Sequence, residues 1–291
     1  MLIAFLIVIA LVATSWWLVH KALAEARSLT LTRRRLACPG LPPAFDGLRV
    51  LHVTDLHLDS GHSPAAAVLR EADSLEPDLV MVTGDLVSTC CGVDEGEQFL
   101  RAFANRWPTY VVLGNSDQRA IRKRELIARW QETGATILVN ERVEVKRNGS
   151  RIWIAGVDDP HQGRDSLELA LRNVPPEDFA LLLAHSPDIA LRPRVEEADL
   201  VLCGHTHGGQ VCFPWLGAIY TRTRIARKYA SGLHRINGAT VLISRGAGST
   251  KLGIRMHCPP EITLLTLVSW QAKQVLPASQ QTAAEQTAVY Y

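Results

Sequence analysis

Seven side chains with metal-binding potential each follow closely on a short apolar run in this sequence of 291 residues. Carboxylate oxygens, imidazole nitrogens and amide oxygens together suit Mn²⁺, Fe or Zn²⁺. Seven donors are too many for one ion and suit a pair of ions that share one carboxylate. The seven residues are Asp55, His57, Asp85, Asn115, His185, His205 and His207.

A pair of ions at these side chains predicts hydrolysis at phosphorus. Two divalent ions about 3.5–4 Å apart clamp a phosphoryl group, lower the pKa of a water molecule and stabilise the leaving oxygen. Each short motif is weak alone, because Gly-Asp and Gly-Asn are also common turn sequences. The order of the motifs, each placed after an apolar run, indicates a dinuclear phosphoesterase.

The apolar runs themselves predict the strands of an α/β protein, because short runs rich in Val, Leu and Ile are typical of buried strands. They lie at 48–54, 78–83, 109–113, 151–157, 179–184, 199–203, 240–244 and 261–267. Helices are predicted between several of them, at 63–75, 94–105, 118–133 and 165–172. This alternation favours stacked α/β layers, in which ligands bind beyond the carboxyl ends of the strands.

The motifs resemble those of the calcineurin-like metallophosphoesterase superfamily. The matching blocks are Asp55-Leu-His57, Gly84-Asp85, Gly114-Asn115, His185 and Gly204-His205-Thr206-His207. They lie within a stretch that resembles the family from about Leu48 to about Leu267. Further segments are similar to a membrane-associated bacterial branch, namely Gly156-Val-Asp-Asp-Pro160, Gly208-Gly-Gln-Val211, Ser244-Arg-Gly246 and Pro260-Glu261.

The resemblance implies a fold and a role for each residue. The fold would be a four-layer α/β/β/α sandwich with two divalent ions (Mn, Fe or Zn) at the sheet ends. Asp85 would bridge the ions, and Asp85, Asn115 and His205 would act directly in catalysis. The remaining assignments are Asp55, His57 and His207 on the first ion, and Asn115, His185 and His205 on the second.

One residue departs from the family pattern. The family commonly has His after Gly-Asn, where it assists the leaving group, and this sequence has Ser116. A serine of ordinary pKa is a poor general acid. Three explanations stay open: a leaving group that needs no acid, another histidine such as His161 or His62, or a slow enzyme. Asp117 would either orient the site or be a solvated turn residue.

The N-terminal segment predicts a single membrane span. Leu2 to Val19 are apolar except for Thr14 and Ser15, and 18 helical residues measure about 27 Å, close to the hydrocarbon thickness. Trp16 and Trp17 suit the interface, and basic residues follow but do not precede the span. This predicts a single-pass inner-membrane protein with a cytoplasmic catalytic domain. The alternative is a signal peptide cleaved near Ala22-Leu-Ala24.

The remaining boundaries follow from composition. We expect a membrane anchor at 1–20, a linker at 21–46, a metallophosphoesterase domain at 47–269 and a disordered tail at 270–291. The linker assignment depends on an arginine triplet followed by a Pro- and Gly-rich run. The six cysteines include no Cys-x-x-Cys pair, which argues against a zinc knuckle. Free thiols in a reducing compartment are the simplest interpretation, and a disulfide between distant cysteines stays open.

The substrate is less sharply predicted. The segment 211–232 carries Phe, Trp, Leu and Tyr followed by a basic cluster, which would suit lipid head groups or a phosphorylated lipid, or a solvated hairpin. We therefore expect a phosphodiester or pyrophosphate, on a phosphorylated small molecule or a lipid. The net charge of +2 gives no indication of nucleic acid. The alternatives are a nuclease, a cyclic-nucleotide phosphodiesterase, or a non-catalytic tethered scaffold.

Overall fold

The computed structural model describes residues 1–59, 63–250 and 253–270. The predicted tail from residue 271 onward and the candidate acid His62 lie outside the described residues. The helices of the described residues are α1 (Leu2–Glu25), α2 (Ala65–Leu75), α3 (Val93–Ala104), α4 (Asp117–Ala120), α5 (Lys123–Gln131) and α6 (Leu167–Ala170). The helix predicted at 118–133 is thus two helices, because the backbone is extended at Ile121 between α4 and α5.

All eight predicted strands are present, and the sequence pattern missed several short or polar ones. The strands of the described residues are β1 (Thr30–Cys38), β2 (Leu48–Val53), β3 (Leu79–Thr83), β4 (Thr109–Val112), β5 (Thr136–Ile137), β6 (Glu141–Arg147), β7 (Ser150–Gly156), β8 (Ala180–Leu183), β9 (Leu200–Cys203), β10 (Cys212–Phe213), β11 (Gly217–Ala218), β12 (Gly232–Ile236), β13 (Ala239–Ile243) and β14 (Glu261–Ser269).

Two mixed sheets form the centre of the molecule. The first has the order β1-β14-β2-β3-β4-β5, and the second has the order β12-β13-β9-β8-β7-β6. In the first, β2 to β5 run parallel, and in the second, β13, β9, β8 and β7 run parallel. The parallel strands therefore bring their carboxyl ends to one edge of each sheet.

Three apolar cores hold the layers together. The core between the two sheets contains Met81 and Val112 from the first sheet and Leu183 and Leu202 from the second. A second core packs α2, α3 and α5 on the outer face of the first sheet, and a third packs α6 and short 3-10 turns on the outer face of the second. This arrangement confirms the predicted four-layer α/β/β/α sandwich.

The prediction of a linker at 21–46 is wrong. The helix α1 continues to Glu25, and β1 pairs in parallel with β14 from the Thr30–Glu261 pair to the Cys38–Ser269 pair. Pattern reasoning missed β1 because it is an edge strand with three consecutive arginines, of which Arg33 and Arg35 are exposed, while Leu31 and Leu36 pack against the cores. The globular domain therefore begins before residue 47.

The helix α1 projects an apolar surface that the other described residues do not cover. An 18-residue stretch of this helix has a mean hydropathy of 2.6, and none of that stretch is buried. In length and composition it is a candidate membrane span. Its last turns contact the sandwich: Ala22 is buried, and its carbonyl accepts a 3.0 Å hydrogen bond from the backbone N–H of Arg255.

Candidate metal centre

The seven predicted residues converge at the carboxyl ends of five strands, as their placement after apolar runs predicts. The first sheet contributes those after β2, β3 and β4, and the second contributes those after β8 and β9. Each of the seven side chains is buried, with at most 6% of its surface exposed. The site therefore lies where the two sheets meet, and it needs both of them.

Six of the residues form two compact clusters. The nitrogen and oxygen atoms of Asp55, His57 and His207 lie within 4.8 Å of one another, and so do those of Asp85, His185 and His205. In the first cluster, Nε2 of His57 and Nε2 of His207 are 3.0 Å apart. In the second, Nδ1 of His205 and Nε2 of His185 are 3.0 Å apart. Two three-residue clusters match the donor requirement of two ions.

The carboxylate of Asp85 faces both clusters. Its Oδ1 lies 3.4 Å from Nε2 of His185, and its Oδ2 lies 3.6 Å from Nε2 of His57. One carboxylate can therefore reach both groups of donors.

An orphaned oxygen tests whether the residues fit metal ions. Oδ1 of Asp55 is buried and has no hydrogen-bond partner among the described residues, although it lies 3.4 Å from Nε2 of His207. Oδ2 of the same carboxylate accepts hydrogen bonds from the Thr54 hydroxyl and from the His205 backbone N–H, each over 2.8 Å. A buried carboxylate oxygen without a partner is costly unless a cation satisfies it, so the donor set fits divalent ions.

Asn115 lies against the second cluster and against a cation that the sequence reading missed. One end of its amide is 3.0 Å from Nδ1 of His205, and the other end is 2.9 Å from both terminal nitrogens of Arg119. With its oxygen toward His205, the amide completes the second cluster. With its oxygen toward Arg119, it accepts two hydrogen bonds from Arg119 and one from the Ser116 backbone N–H instead, so Arg119 competes for the predicted ligand atom.

Three of the four histidines are oriented by an oxygen on the ring nitrogen that faces away from the clusters. His57 Nδ1 lies 3.0 Å from the Ser88 hydroxyl, and His185 Nδ1 lies 2.8 Å from the Thr83 carbonyl. His205 Nε2 lies 3.3 Å from the carbonyl of Arg222. When one ring nitrogen donates its N–H to a carbonyl, the lone pair of the other ring nitrogen is free to bind a metal. This arrangement is usual for metal-binding histidines.

The buried carboxylates of the two clusters favour a positive charge beside them. Burial by itself lowers the pKa of His185, but the carboxylates of Asp85 and Asp55 outweigh burial and raise it to about 10. Burial would raise the pKa of Asp85, yet His185 and His57 hold that pKa well below its usual value. For His205, burial and the charge of His185 lower the pKa to about 3. The buried carboxylates thus stabilise a cation at their centre.

The backbone is strained at these residues. Five of the seven have positive φ angles, between 50° and 69°: Asp55, His57, Asp85, His205 and His207. Side chains other than glycine rarely adopt this region, and each such residue costs on the order of 1–3 kcal/mol. Strain concentrated in these turns is typical of a functional site, since the turns aim consecutive side chains into one pocket.

Two glycines permit the close approach of the site loops. A Cβ atom on Gly204 would lie 2.1 Å from Oγ1 of Thr54 and 2.2 Å from Oδ2 of Asp55. A Cβ atom on Gly114 would lie 2.2 Å from Oδ1 of Asp85. These glycines are therefore required by the packing of the carboxylates rather than by a turn.

Ser116, which stands where the family commonly has histidine, and its neighbour Asp117 both have defined hydrogen-bond partners. The Ser116 hydroxyl donates a 2.9 Å hydrogen bond to Oδ2 of Asp85 and accepts one of 3.0 Å from Arg119. Asp117 is not solvated: its carboxylate accepts from the backbone N–H groups of Val87 and Gly114. Burial, and then the charge of Asp85, raise the pKa of Asp117 to about 7. Asp117 thus braces the two loops that carry Asp85 and Asn115.

His161 lies beside the second cluster. Its ring centroid is 4.6 Å from that of His205, at an interplanar angle of 43°. It also borders an open cleft of about 430 Å³, which is lined by His161, Asp188, Tyr220, Thr221, Arg222, Thr223, Arg224 and Arg227. A substrate in this cleft would lie next to the metal centre and among three arginines.

Arg255 is a buried cation that the sequence reading did not find. Its guanidinium is fully buried and donates to the carbonyls of Arg245, Gly246, Gly248, His207 and Cys258. Its Nη2 also lies 3.3 Å from Nδ1 of His207. Arg255 therefore ties three loops together behind the first cluster.

A comparison with protein families decides the class. The model of the calcineurin-like phosphoesterase family matches residues 48–209, which include all seven residues of the two clusters. The chain belongs to the calcineurin-like phosphoesterases. It is therefore a metal-dependent phosphoric ester hydrolase, and the family together with the two clusters implies a dinuclear site for divalent ions.

Curated relatives of this phosphoesterase include bacterial and vertebrate proteins. It is 28% identical to the uncharacterized metallophosphoesterase YkuE of Bacillus subtilis, over 84% of this chain and 87% of YkuE. It is 31% identical to the phosphodiesterase YaeI of Escherichia coli, over 76% of this chain and 82% of YaeI. It is 30% identical to a bovine transmembrane protein with a metallophosphoesterase domain, over 78% of this chain and 54% of that protein. With the apolar α1, this likeness supports membrane association for the phosphoesterase.

Proposed function

We propose that this phosphoesterase hydrolyses a phosphodiester or pyrophosphate bond of a lipid-linked substrate at the membrane surface. The observation that carries the proposal is the arginine-lined cleft, which adjoins the second cluster through the contact of His161 with His205. The likeness to a protein named a phosphodiesterase supports the bond type, and the apolar α1 supports the location.

In this proposal the seven residues hold two ions. Asp55, His57 and His207 would hold the first, Asn115, His185 and His205 would hold the second, and Asp85 lies within reach of both clusters. When bound, the ions supply Lewis-acid polarisation of the phosphoryl group and a water molecule of lowered pKa. Mn²⁺, Fe and Zn²⁺ all accept these donors.

The chain's own residues orient the reaction. Ser116 holds the Asp85 carboxylate through its backbone N–H, over 2.7 Å, and through its hydroxyl. His161 is the proposed proton donor to the leaving oxygen, since its ring lies between His205 and the cleft that receives the leaving group. Arg119 places a positive charge beside Asn115, where it would stabilise negative charge on the phosphoryl oxygens.

The arginines of the cleft would bind the rest of the substrate. Arg222, Arg224 and Arg227 form one wall, and their guanidinium groups suit a second phosphate or a phosphorylated head group. The proposed orientation puts this cleft on the cytoplasmic side of the inner membrane, because Lys21 and the arginines of β1 follow the span.

The decisive experiment is a screen of the full-length protein in lipid nanodiscs with added Mn²⁺, Fe²⁺ or Zn²⁺. Substrates should include phosphomonoesters, bis(p-nitrophenyl) phosphate, cyclic nucleotides, single-stranded DNA and lipid pyrophosphates. We expect turnover of diesters and of lipid pyrophosphates that is higher than turnover of the nucleic-acid substrates. Preference for DNA or cyclic nucleotides would refute the lipid substrate, and no metal-dependent turnover of any substrate would refute catalysis.

The full chain matters for this screen. A fragment that begins at residue 41 lacks β1, which pairs with β14 along its whole length. Removing an edge strand exposes the backbone of its neighbour, so inactivity of such a fragment would reflect the loss of β1.

A further inference from the structure

The hairpin formed by β10 and β11 exposes a cluster of large apolar side chains. The exposed fractions are 91% for Trp215 and 67% for Leu216 at its tip. Phe213, Ile219 and Tyr220 are 47%, 43% and 68% exposed. Contiguous apolar side chains of this size at the surface indicate a binding surface rather than ordinary solvent exposure. The metal centre does not use any of these five side chains.

The base of the hairpin is joined to the end of α1 through neighbouring residues. Val211 forms a parallel bridge with Met256, and the backbone N–H of Cys212 donates to the Met256 carbonyl over 2.9 Å. The preceding residue, Arg255, donates its backbone N–H to Ala22 in α1. The backbone N–H of Cys258 donates to Oε1 of Glu25 over 2.6 Å. The hairpin and the helix are therefore held at one place on the domain.

The distances allow the hairpin tip to reach the level of the lipid head groups. Trp17 has Lys21 over its ring, a pairing suited to the membrane interface. Ala22 follows Trp17 by five residues, or about 8 Å of helix. The extended residues Val211 to Phe213 span about 7 Å, and the turn that carries Trp215 lies beyond them. A hairpin rooted beside Ala22 can thus return to the depth of Trp17.

The charge of the next segment matches an anionic surface. Arg222, Arg224, Arg227 and Lys228 are all exposed and follow directly after Tyr220. Basic side chains next to exposed aromatic ones are typical of segments that lie at the interface of membranes with anionic lipids.

We propose that the β10–β11 hairpin docks on the bilayer that α1 enters, with Trp215 and Leu216 among the lipid head groups and the basic residues against anionic phospholipid. Docking holds the domain at two points, the helix and the hairpin, and so fixes its orientation. Because the cleft contains Tyr220 and Arg222, its mouth then faces the lipid surface. This last consequence rests on the proposed function, whereas the docking itself does not.

The test is tryptophan quenching in the full-length protein. The protein is reconstituted in vesicles of phosphatidylcholine and phosphatidylglycerol whose acyl chains are brominated or plain. Trp215→Phe isolates the emission of Trp215 by difference, and Trp107→Phe is the matched control. Trp107 precedes β4 and so lies at the opposite edge of the sheet from the site.

We expect the Trp215 emission to be blue-shifted and quenched in brominated lipid, and the Trp107 emission to be unaffected. Omission of phosphatidylglycerol should weaken the quenching. Trp215 emission that is red-shifted and unquenched in the anionic vesicles would overturn the proposal, and equal quenching of the two tryptophans would do the same.

A second measurement separates docking from catalysis. The double variant Trp215→Ser with Leu216→Ser should keep wild-type turnover of soluble bis(p-nitrophenyl) phosphate and lose turnover of a lipid-embedded substrate. Equal turnover of the lipid substrate by the variant and the wild type would contradict a role for docking. If the wild type hydrolyses neither substrate while Trp215 is quenched, the proposed function fails and docking stands.

Discussion

The hydroxyl of Ser116 donates a hydrogen bond to Oδ2 of Asp85, and its backbone N–H donates another to Oδ1. The residue in place of the family's histidine therefore holds the carboxylate that faces both clusters. Its side chain supports Asp85, and His161 is the proposed proton donor.

Replacement of Ser116 by alanine should weaken metal binding. The variant keeps the backbone hydrogen bond to Asp85 and loses the hydroxyl one, so we expect a loss of metal affinity of about ten-fold. Calorimetric titration of the apoprotein with Mn²⁺ measures this affinity. Unchanged affinity would show that the hydroxyl does not position Asp85. Ser116→His, which supplies an acid, should equal or exceed the wild type on poor leaving groups if proton donation limits the rate.

Asp85→Asn and His205→Ala should abolish metal-dependent hydrolysis of bis(p-nitrophenyl) phosphate. Each change removes a donor from the second cluster, and Asp85→Asn also removes the charge that both clusters share. His234→Ala is the matched control, because His234 lies in the edge strand β12 and bonds to the Ser231 carbonyl. Wild-type rates from either of the first two variants would disprove the two-ion assignment.

His161→Gln should slow poor leaving groups selectively. Loss of a general acid costs roughly 10²–10⁴-fold when the leaving oxygen needs a proton, and much less when it is a good leaving group. We therefore expect kcat on phenyl esters to fall far more than kcat on p-nitrophenyl esters, with KM little changed. An equal fall on both substrates would mean that His161 only positions His205.

Gly204→Ala should disrupt the site through a steric clash of the new methyl group. The new methyl group would lie within 2.2 Å of the Asp55 carboxylate and the Thr54 hydroxyl, both buried. We expect loss of metal binding and lower thermal stability. Gly149→Ala is a useful comparison, since Gly149 has φ of +78° and no neighbour within 4 Å; it should cost only about 1 kcal/mol of backbone strain. Similar unfolding temperatures for the two variants would exclude the collision.

The pH dependence of stability should include a contribution from Glu261. This carboxylate at the start of β14 accepts from Arg245 over 2.7 Å and from Thr32 of β1 over 2.9 Å. Burial favours the protonated form, but Arg245 outweighs it and lowers the pKa of Glu261. A lowered folded pKa stabilises the protein above the usual glutamate pKa of about 4.5, and this stabilisation is lost as the pH falls through the lower folded value.

Glu261→Gln should therefore destabilise the protein at neutral pH and flatten its acid-induced loss of stability below about pH 4.5. Breaking a buried ion pair costs roughly 3 kcal/mol, and the glutamine amide recovers part of this. Thermal unfolding of both proteins between pH 3 and pH 7 measures the effect. Parallel curves for the two proteins across that range would rule out the contribution of Glu261.

The sequence by itself determined the eight main strands and the residues that follow them. Short runs of Val, Leu and Ile that are buried on both faces have few alternatives to a central strand, and parallel strands bring their carboxyl ends to one edge. The convergence of Asp55, Asp85 and His205 could therefore be predicted. The donor types indicated a pair of ions, whereas the assignment of each residue to one ion came from the resemblance to a family. Metal titration would test both.

Only the tertiary structure decided those features of the fold and of the site that depend on how the two sheets stack. The strand β1 carries three consecutive arginines, so its sequence resembles a linker until β14 is placed beside it. Arg119 and Arg255 have no local pattern that marks them, and His161 was one of two candidate histidines until the fold placed its ring beside His205. Arg255 becomes part of the site because carbonyl groups from distant loops surround its guanidinium, and no spacing along the chain encodes a set of acceptors that exists only after folding.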